Sequence, residues 1–570
     1  MEKEDQNGAS VQLEDPVTSP DTPEPSGCKK GCRFLPADAW EEARQLLALA
    51  GPTFLSQLMV FMISIVSSIF CGHLGKVELD AVSLAIAVIN ITGVAVGMGL
   101  AGACDTLISQ TYGGRNLKLV GTILQRGILI LMLFCFPCWA LFINTEPILL
   151  LFKQDPEVTR LTQMYVLIFI PALPATFLYN LQAKYLQNQG IVLPQVLTGL
   201  TANIFNALIN YIFLYVLSLG VMGSAWANTI SQYIQMILLF LYIIWKKLHA
   251  ATWGGWSRGC FEDWGPFIRL AIPSMLMLCI EWWAFEIGIF LAGALGVVEL
   301  GAQAIIYQTA NIVFMVPVGF SIAASVRVGQ SLGAGNIEQA KKSTVVALFM
   351  TETCALGCCI LLASLKDVLG YIFTTDKEII SLVSYVLPVY AASHLFDGCV
   401  ATCGGILRGT GKQKIGAIFH MVGYYVIGLP VGITLMFVAN FGIIGFWLGV
   451  LLCVMIQGVA FIIFVFKIDW NKASEEAQVR AMLRMKRAKD INNKSAIYQS
   501  ASPSDETECP GDVELTELGC TERQISEPAV NGTPPHSVTL TKSQLVLRRM
   551  LALVAAVGIL VIGVIIRFSI

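Results

Sequence analysis

Apolar residues in this chain gather into long runs parted by short polar stretches, and the length of those runs is diagnostic. A bilayer core about 30 Å thick is crossed by roughly 20 helical residues at 1.5 Å each. Runs of that length are centred near residues 46–70, 79–104, 119–143, 161–182, 195–218 and 222–245. A polar segment with Trp253, Trp256 and Trp264 follows, then six more runs near 267–292, 303–326, 343–364, 379–403, 415–438 and 441–466. After a charged stretch, a last run occupies 545–566. The pattern predicts thirteen spanning helices and an all-α polytopic membrane protein.

Positive charge in short loops orients such a bundle. The loops after the second, sixth, eighth and tenth runs hold Arg115 and Lys118, then Lys246, Lys247 and Arg258, then Lys341 and Lys342, then Arg408, Lys412 and Lys414. The alternate loops are poor in Lys and Arg. The N-terminus is therefore expected in the cytoplasm and Ser569 and Ile570 outside. The reading divides the chain into a cytoplasmic tail (1–43), a six-helix lobe (44–246), an interlobe linker (247–266), a second six-helix lobe (267–467), a cytoplasmic linker (468–543) and a thirteenth helix (544–570). The linker opens with Arg480, Arg484, Lys486, Arg487 and Lys489 and turns Ser/Thr/Pro/Glu-rich. That composition predicts disorder with a basic contact to anionic lipid. The sequon Asn531-Gly-Thr533 falls on the cytoplasmic side and is discounted.

Composition narrows the class. Of 570 residues 55% are hydrophobic and 13% charged, with net charge -2 and mean hydropathy +0.68. Soluble domains carry about 25% charged residues, so a soluble enzyme and a disordered scaffold are excluded. The balanced charge excludes a nucleic-acid binder, and the lipid bilayer is the expected surrounding partner. The sixteen cysteines are scattered, several within apolar runs (Cys71, Cys104, Cys279, Cys453), where a thiol acts as a small hydrophobe. Cys135 and Cys138 have redox spacing inside an apolar stretch, and neither a redox nor a metal role is expected. The first forty residues are polar and acidic, with no cleavable signal visible.

Five blocks recur in order at offsets of 220 to 222 residues. Leu49-Ala-Gly-Pro52 is answered by Leu270-Ala-Ile-Pro273, and Leu74-Gly-Lys-Val-Glu78 by Leu295-Gly-Val-Val-Glu299. Ser109-Gln-Thr-Tyr-Gly113-Gly-Arg-Asn116 is answered by Gly329-Gln-Ser-Leu-Gly333-Ala-Gly-Asn336. Phe152-Lys-Gln-Asp155-Pro-Glu157 matches Phe373-Thr-Thr-Asp376-Lys-Glu378, and Gly220-Val-Met-Gly223 matches Gly442-Ile-Ile-Gly445. A six-helix unit has been duplicated in tandem. Six is even, so both copies enter the membrane in the same direction, as parallel lobes flanking a cavity. That layout suits a transporter of alternating access better than a channel, with a single chain as the functional unit. Glu78, Asp155, Glu299 and Asp376 fall at helix ends, as caps.

The blocks Cys71-Gly-His-Leu-Gly75, Cys104-Asp-Thr-Leu-Ile-Ser-Gln-Thr-Tyr-Gly113, Met277-Leu-Cys-Ile-Glu281-Trp-Trp283 and Leu407-Arg-Gly-Thr-Gly411 resemble those of the multidrug and toxin extrusion (MATE) family. The resemblance covers roughly residues 40–470 and the extra C-terminal helix. It is closest to the vertebrate members, which export organic cations in exchange for protons. It implies small organic cations as partners, no cofactor beyond the coupling proton, and an apical plasma-membrane location.

A carboxylate in hydrocarbon costs from about 3 kcal/mol upward, so it must face a cavity or a partner. Glu281 lies beyond Pro273 in the first helix of the second lobe, where a freed backbone group is tolerated beside a cavity. Burial favours the neutral form of a carboxyl group, so such a site holds a proton or a cation but not readily both. That competition is the chemistry of antiport. The alternative is a satisfied structural contact. The resemblance makes Glu281 the proton-coupling glutamate. Glu286 falls about 140° around the helix from Glu281, beside Trp282 and Trp283. It is either an indole's hydrogen-bond partner or, as the resemblance implies, a second coupling group. His394 and Asp397 share a helix face, as a structural pair or a further protonation site.

Cations are also held by aromatic faces, at about 2 kcal/mol for a desolvated contact. Trp282, Phe285, Tyr307 and Phe314 are candidates, as are Gln57 and Asn90 in the first lobe, which equally suit interhelical hydrogen bonding. By resemblance, Cys71 and His394 match sensitive positions. The family has glutamate at Asp397, where the charge is kept, and its closest members have glutamate at Gln308, where it is lost. The competing reading, a lipid-linked glycan flippase, calls for a cationic cradle, and no Lys or Arg is expected mid-span. Na⁺ coupling, with oxygen ligands such as Asp397, stays open. An ATP-driven pump does not, because Gly411-Lys412-Gln413 lacks the rest of a phosphate loop, and no enzymatic activity is expected.

Overall fold

The computed structural model describes residues 39–482 and 542–569. The first 38 residues, the basic cluster Arg484–Lys489 and the Asn531 sequon lie outside the described residues. The chain is an all-α bundle of spanning length: α1 (Ala39–Gly72), α2 (Val77–Gly113), α3 (Leu117–Ile143), α4, α5 (Leu193–Val216), α6 (Gly220–Trp245), α7 (Trp264–Leu295), α8 (Val297–Gly333), α9 (Ile337–Ile372), α10 (Lys377–Thr410), α11 (Gln413–Val438), α12 (Ile443–Phe466) and α13 (Ser543–Ser569). Span α4 is a broken pair, Pro156–Phe169 and Ala172–Gln187, bent by 57°. Pro171 stands in the break, where its missing N–H interrupts the ladder. Asp155 accepts from Glu157 N at 2.9 Å and Val158 N at 3.2 Å, and its repeat partner Asp376 accepts from Glu378 N at 2.9 Å. Both are N-caps.

The duplication is visible as packing. α1 of the first lobe lies along α8 of the second, and α7 lies along α2. Small residues permit the approach. A Cβ at Gly319 would sit 2.8 Å from the Ala50 carbonyl oxygen, and one at Gly99 would collide with the Met275 backbone. These glycines are repeat equivalents, 220 residues apart. At the end of the bundle carrying the Lys- and Arg-rich turns, hereafter the basic end, the correspondence is closer still. Gly113 presses on the Gln330 carbonyl and Gly333 on the Gln110 carbonyl. Gln110 Nε2 donates to Gly409 O and Gln330 Nε2 to Asn188 O, each at 2.9 Å. The repeated Gln-x-x-Gly block is thus the seam between the lobes.

Two hydrophobic cores fill the lobes. One is built around Leu100, Phe142, Tyr165 and Phe177, the other around Tyr390, Tyr424, Phe446 and Trp447. A third, with Leu46, Phe320, Leu332 and Phe461, ties the start of α1 to the second lobe. π-helical turns interrupt α2 at Asn90–Val94, α5 at Ile212–Val216, and α11 at Met421–Gly428 and Thr434–Val438.

Two expected boundaries move. The start of α1 belongs to the bundle, because Glu42 is buried there and accepts from Arg327 Nη2 at 2.6 Å and Ser343 Oγ at 2.6 Å. The expected disordered linker begins with a helix, Trp470–Arg480, laid across the seam at the basic end. Its Arg480 bonds Glu476 Oε2 at 3.1 Å and Gln110 Oε1 at 3.2 Å, so this arginine is committed to protein and not to lipid. α13 rests on α3. Asn144 Nδ2 donates to Gly563 O at 2.8 Å, Arg567 pairs with Glu146 at 2.5 Å, and the Arg549 guanidinium lies 4.1 Å over the Trp264 ring.

Candidate functional site

Glu281 on α7 and Asp397 on α10 come together inside the second lobe, close enough for their charges to interact. Both are half-buried. Aromatic rings of the second lobe's core pack around them. Phe285, one turn beyond Glu281, lies 6.2 Å from Tyr307, 6.0 Å from Tyr424 and 6.3 Å from Trp447, and Tyr390 meets Trp447 edge-on at 5.2 Å. Tyr390 and Tyr424 both lie within range of the Asp397 charge. The π-helical turn at Met421–Gly428 carries Tyr424 to this position. Two carboxylates in one apolar pocket take up a single positive charge more readily than they stay doubly ionised.

Glu286 joins the same system by a route that helix geometry alone hides. Tyr307 on α8 donates to Glu286 Oε1 at 3.5 Å and also lies within range of Glu281. It therefore bridges two glutamates that point to different sides of α7. The indole expectation for Glu286 is corrected. Trp283 Nε1 donates instead to the Ile91 carbonyl at 3.2 Å, an acceptor in the π-helical turn Asn90–Val94 of the first lobe. Trp282 is half-buried beside it.

The other expected residues divide. His394 is fully buried, with its ring 6.0 Å from Tyr390. Neither ring nitrogen has a protein partner, nor does Asp397 Oδ1, so the expected His394–Asp397 pair is not formed. Three residues of separation put both on one face, but the imidazole packs among aromatic groups. Cys71 is buried in the first lobe's core near Tyr165 and Ser224, away from the carboxylates. Gln308 is exposed on a strip of α8 with Ala304 and Ile312, while Tyr307 turns inward. Gln57 and Asn90 are half-buried in the first lobe, as is Phe314 in the second, and Asn90 lies in the turn that Trp283 reaches.

Sequence reasoning missed a second charged centre, built on basic residues toward the basic-end termini of the spans. Arg126 and Lys184 lie inside α3 and α4, and Arg408, read as a loop residue, lies inside α10. Asp105 on α2 is 1% exposed. It accepts from Lys184 Nζ at 2.9 Å and Asn188 Nδ2 at 3.1 Å, with Arg408 Nε at 3.8 Å. Thr106 Oγ1 donates to the Arg408 carbonyl at 2.5 Å, and Arg408 Nη2 to Ser321 Oγ at 2.8 Å. Arg126 pairs with Asp263, and Lys184 and Arg408 share Asp105. Asp105 and Arg408 both stand within the family-like blocks quoted above, which was the available signal. Glu352 was missed too. It is a half-buried acid in the apolar run of α9, its carboxylate directed at Cys399. Among the described residues, no group of three or more His, Cys, Asp or Glu is placed to hold a metal ion.

The seam is closed at the basic end by these contacts and by Glu42–Arg327 at 2.6 Å. Toward the other end, the lobes meet through Trp283–Ile91 and the stacked Phe152–Phe290 pair at 6.1 Å.

Comparison with known proteins agrees with this architecture. The MatE family model matches residues 52–212 and 273–434, once in each lobe. Multidrug and toxin extrusion protein 1 of Xenopus tropicalis is 68% identical over 545 residues, covering 95% of this chain and 94% of its own. The Homo sapiens protein of that name is 57% identical over 567 residues, covering 97% and 98%. Among solved structures, the eukaryotic MATE transporter AtDTX14 is similar at 28% identity and TM-score 0.75, covering 78% of this chain and 99% of that one. An outward-facing multidrug resistance MATE transporter shares the fold at 15% identity and TM-score 0.66, covering 77% and 97%.

Proposed function

The chain belongs to the MatE family, and from that premise we propose that it extrudes small organic cations across the plasma membrane in exchange for protons. The observation that carries this reading is the placement of Glu281 and Asp397 together beside aromatic rings inside the second lobe, with Tyr307 linking Glu281 to Glu286. A proton and an organic cation compete for the same negative charge, and the rings offer the cation a second attraction. Substrate entering from one side and a proton from the other cannot occupy Glu281 together, which makes the fluxes reciprocal. Relatives named multidrug and toxin extrusion proteins support a broad substrate range, consistent with a site of aromatic faces and one charge. The basic end is assigned to the cytoplasm by its Lys and Arg, which sets the end of α13 outside, and an apical surface fits the vertebrate relatives. The flippase reading is disfavoured, since Arg126, Lys184 and Arg408 are each engaged by a carboxylate, Asp263 or Asp105, rather than grouped as a cationic cradle.

The test is uptake of tetraethylammonium into cells or vesicles expressing the chain, under imposed gradients. Uptake rises when the outside is alkaline and the inside acid, and a sodium gradient alone does not drive it. Glu281→Gln, present at the surface in equal amount, abolishes the pH-driven component. Full uptake with unchanged pH dependence in that variant would remove Glu281 from the coupling step.

A further inference from the structure

The short helix Trp470–Arg480 follows the last span of the second lobe and is seated on that lobe. Asp469 caps its start, accepting from Lys472 N at 3.1 Å. Ala473 and Ala477 are fully buried, in one hydrophobic cluster with Leu332, Ala340 and Ile468. Ser474 Oγ donates to the Leu332 carbonyl at 3.4 Å, and Lys412 Nζ meets Glu476 Oε2 at 2.9 Å. Two glycines, each with φ of +79°, make room for its polar side chains. A Cβ at Gly335 would sit 2.6 Å from Gln478 Nε2, and one at Gly411 would sit 2.6 Å from Arg480 Nη1. Glycine adopts that left-handed backbone at no steric cost.

The last turn of the helix leaves this seat and reaches the first lobe. Arg480 Nη1 donates to Gln110 Oε1 at 3.2 Å, and Asn116 Nδ2 donates to the Ala481 carbonyl at 3.0 Å. Arg480 is held in place by Glu476 Oε2 at 3.1 Å, the same carboxylate that binds Lys412. A chain of contacts therefore runs from Lys412 through Glu476 and Arg480 to Gln110 on the opposite lobe. The duplication supplies the contrast. By the repeat offset, the corresponding stretch after the first lobe is roughly 249–259. That stretch folds back on its own lobe, where Gln125 Nε2 donates to Gly255 O at 2.7 Å and Arg126 Nε to Gly259 O at 3.0 Å. Packing alone does not call for a segment that crosses the seam, and the second lobe has one.

We propose that the helix Trp470–Arg480 is an autoinhibitory clasp, carried by the second lobe, whose tip at Arg480 and Ala481 holds the basic end shut against the first lobe. Parting of the lobes at that end breaks the two tip contacts and leaves the seat intact. The helix then rides with the second lobe and engages again when the lobes close. It sets how often the basic end opens, whichever ion or substrate drives the cycle. The inference goes beyond the exchange reading and shares with it only the motion of the lobes.

The test reads conformation and needs no transport. Bioorthogonal spin labels are placed at Lys247 and Glu338, exposed positions at the basic end of opposite lobes, neither among the contacts named above. The full-length chain is measured in lipid nanodiscs without substrate, at one pH. Arg480→Ala raises the ratio of long to short interlabel distances about tenfold, the order set by losing a hydrogen bond to a charged group. Asn116→Ala, on the other side of the contact, raises it about threefold, as for a neutral hydrogen bond. Val479→Ala, at an exposed position in the same turn, leaves the ratio unchanged. The clasp is overturned if either Arg480→Ala or Asn116→Ala keeps the wild-type ratio. It is also overturned if Val479→Ala shifts the ratio as far as Arg480→Ala, since loss of the helix and not of the contact would then be the cause. If the ratios move as stated while tetraethylammonium uptake ignores the pH gradient, the exchange reading fails and the clasp stands. If uptake follows the gradient and the ratios do not move, the clasp alone fails.

Discussion

At the scale of single residues, the site is defined less by which side chains are acidic than by which aromatic groups connect them. Tyr307 is the case in point, since it contacts Glu286 and reaches Glu281. Its neighbour Gln308 is exposed on the other side of the same turn. Tyr307→Phe keeps the ring against Phe285 and removes only the hydroxyl, at about 0.5–1.5 kcal/mol for a typical hydrogen bond. It is therefore expected to express normally, lower the maximal rate of pH-driven uptake, and change that rate more than Gln308→Ala does. Uptake kinetics of the two variants, normalised to surface protein, decide the point. The carboxylates themselves were legible in the sequence because charge inside an apolar run is conspicuous. Of their aromatic neighbours only Tyr307 and Phe285 were singled out, because Tyr390, Tyr424 and Trp447 read as ordinary apolar residues until tertiary packing assembles them. The reversed fate of His394 and Asp397 has the same cause. Spacing gives a shared face but not a contact.

At the scale of elements, the thirteen spans were read closely, since span length is fixed by the bilayer and helix rise. The break in α4 and the π-helical turns were not, because they depend on how backbone groups find partners between helices. The repeated Gln-x-x-Gly block was legible as repetition, but its role as the seam was not. Nothing in one strand of sequence says that Gly333 will meet the Gln110 carbonyl. A Cβ at Gly333 would collide with that backbone, so Gly333→Ala forces the helices apart at about 1–3 kcal/mol. Gly357 on α9 has nothing within 4 Å of its would-be Cβ, and Gly357→Ala gains up to about 1 kcal/mol of helix propensity. Thermal unfolding of the two variants in the same detergent should move in opposite directions. Equal shifts would remove the close approach as a determinant of stability.

At the scale of the whole molecule, α13 stands apart from the duplication. It is held to α3 at Asn144 and Glu146 and touches the linker before α7 through Arg549 on Phe261 O and the Trp264 ring. None of these residues approaches Glu281 or Asp397. Ending the chain before residue 543 therefore is expected to leave the pH dependence of uptake unchanged while lowering the amount of folded protein at the surface. A lost pH response at normal surface level would place α13 in the coupling path.

The seam described above is built from the same block twice, each copy offering a glycine and a glutamine to the other. In an assembly of separate chains this is an isologous contact, the self-complementary kind that joins identical halves about a twofold axis. By the repeat offset, Asp105 corresponds to Ser325, Arg408 to Gln187 and Gly409 to Asn188. The neutral parts of the joint are shared by both halves, while the charged parts occur once. The molecule is thus a pseudo-homodimer whose halves are alike in their packing and unlike in their charge. The charged joint straddles both halves, with Asp105 in the first and Arg408 in the second, and its neutral copy at Ser325 and Gln187 straddles them the other way.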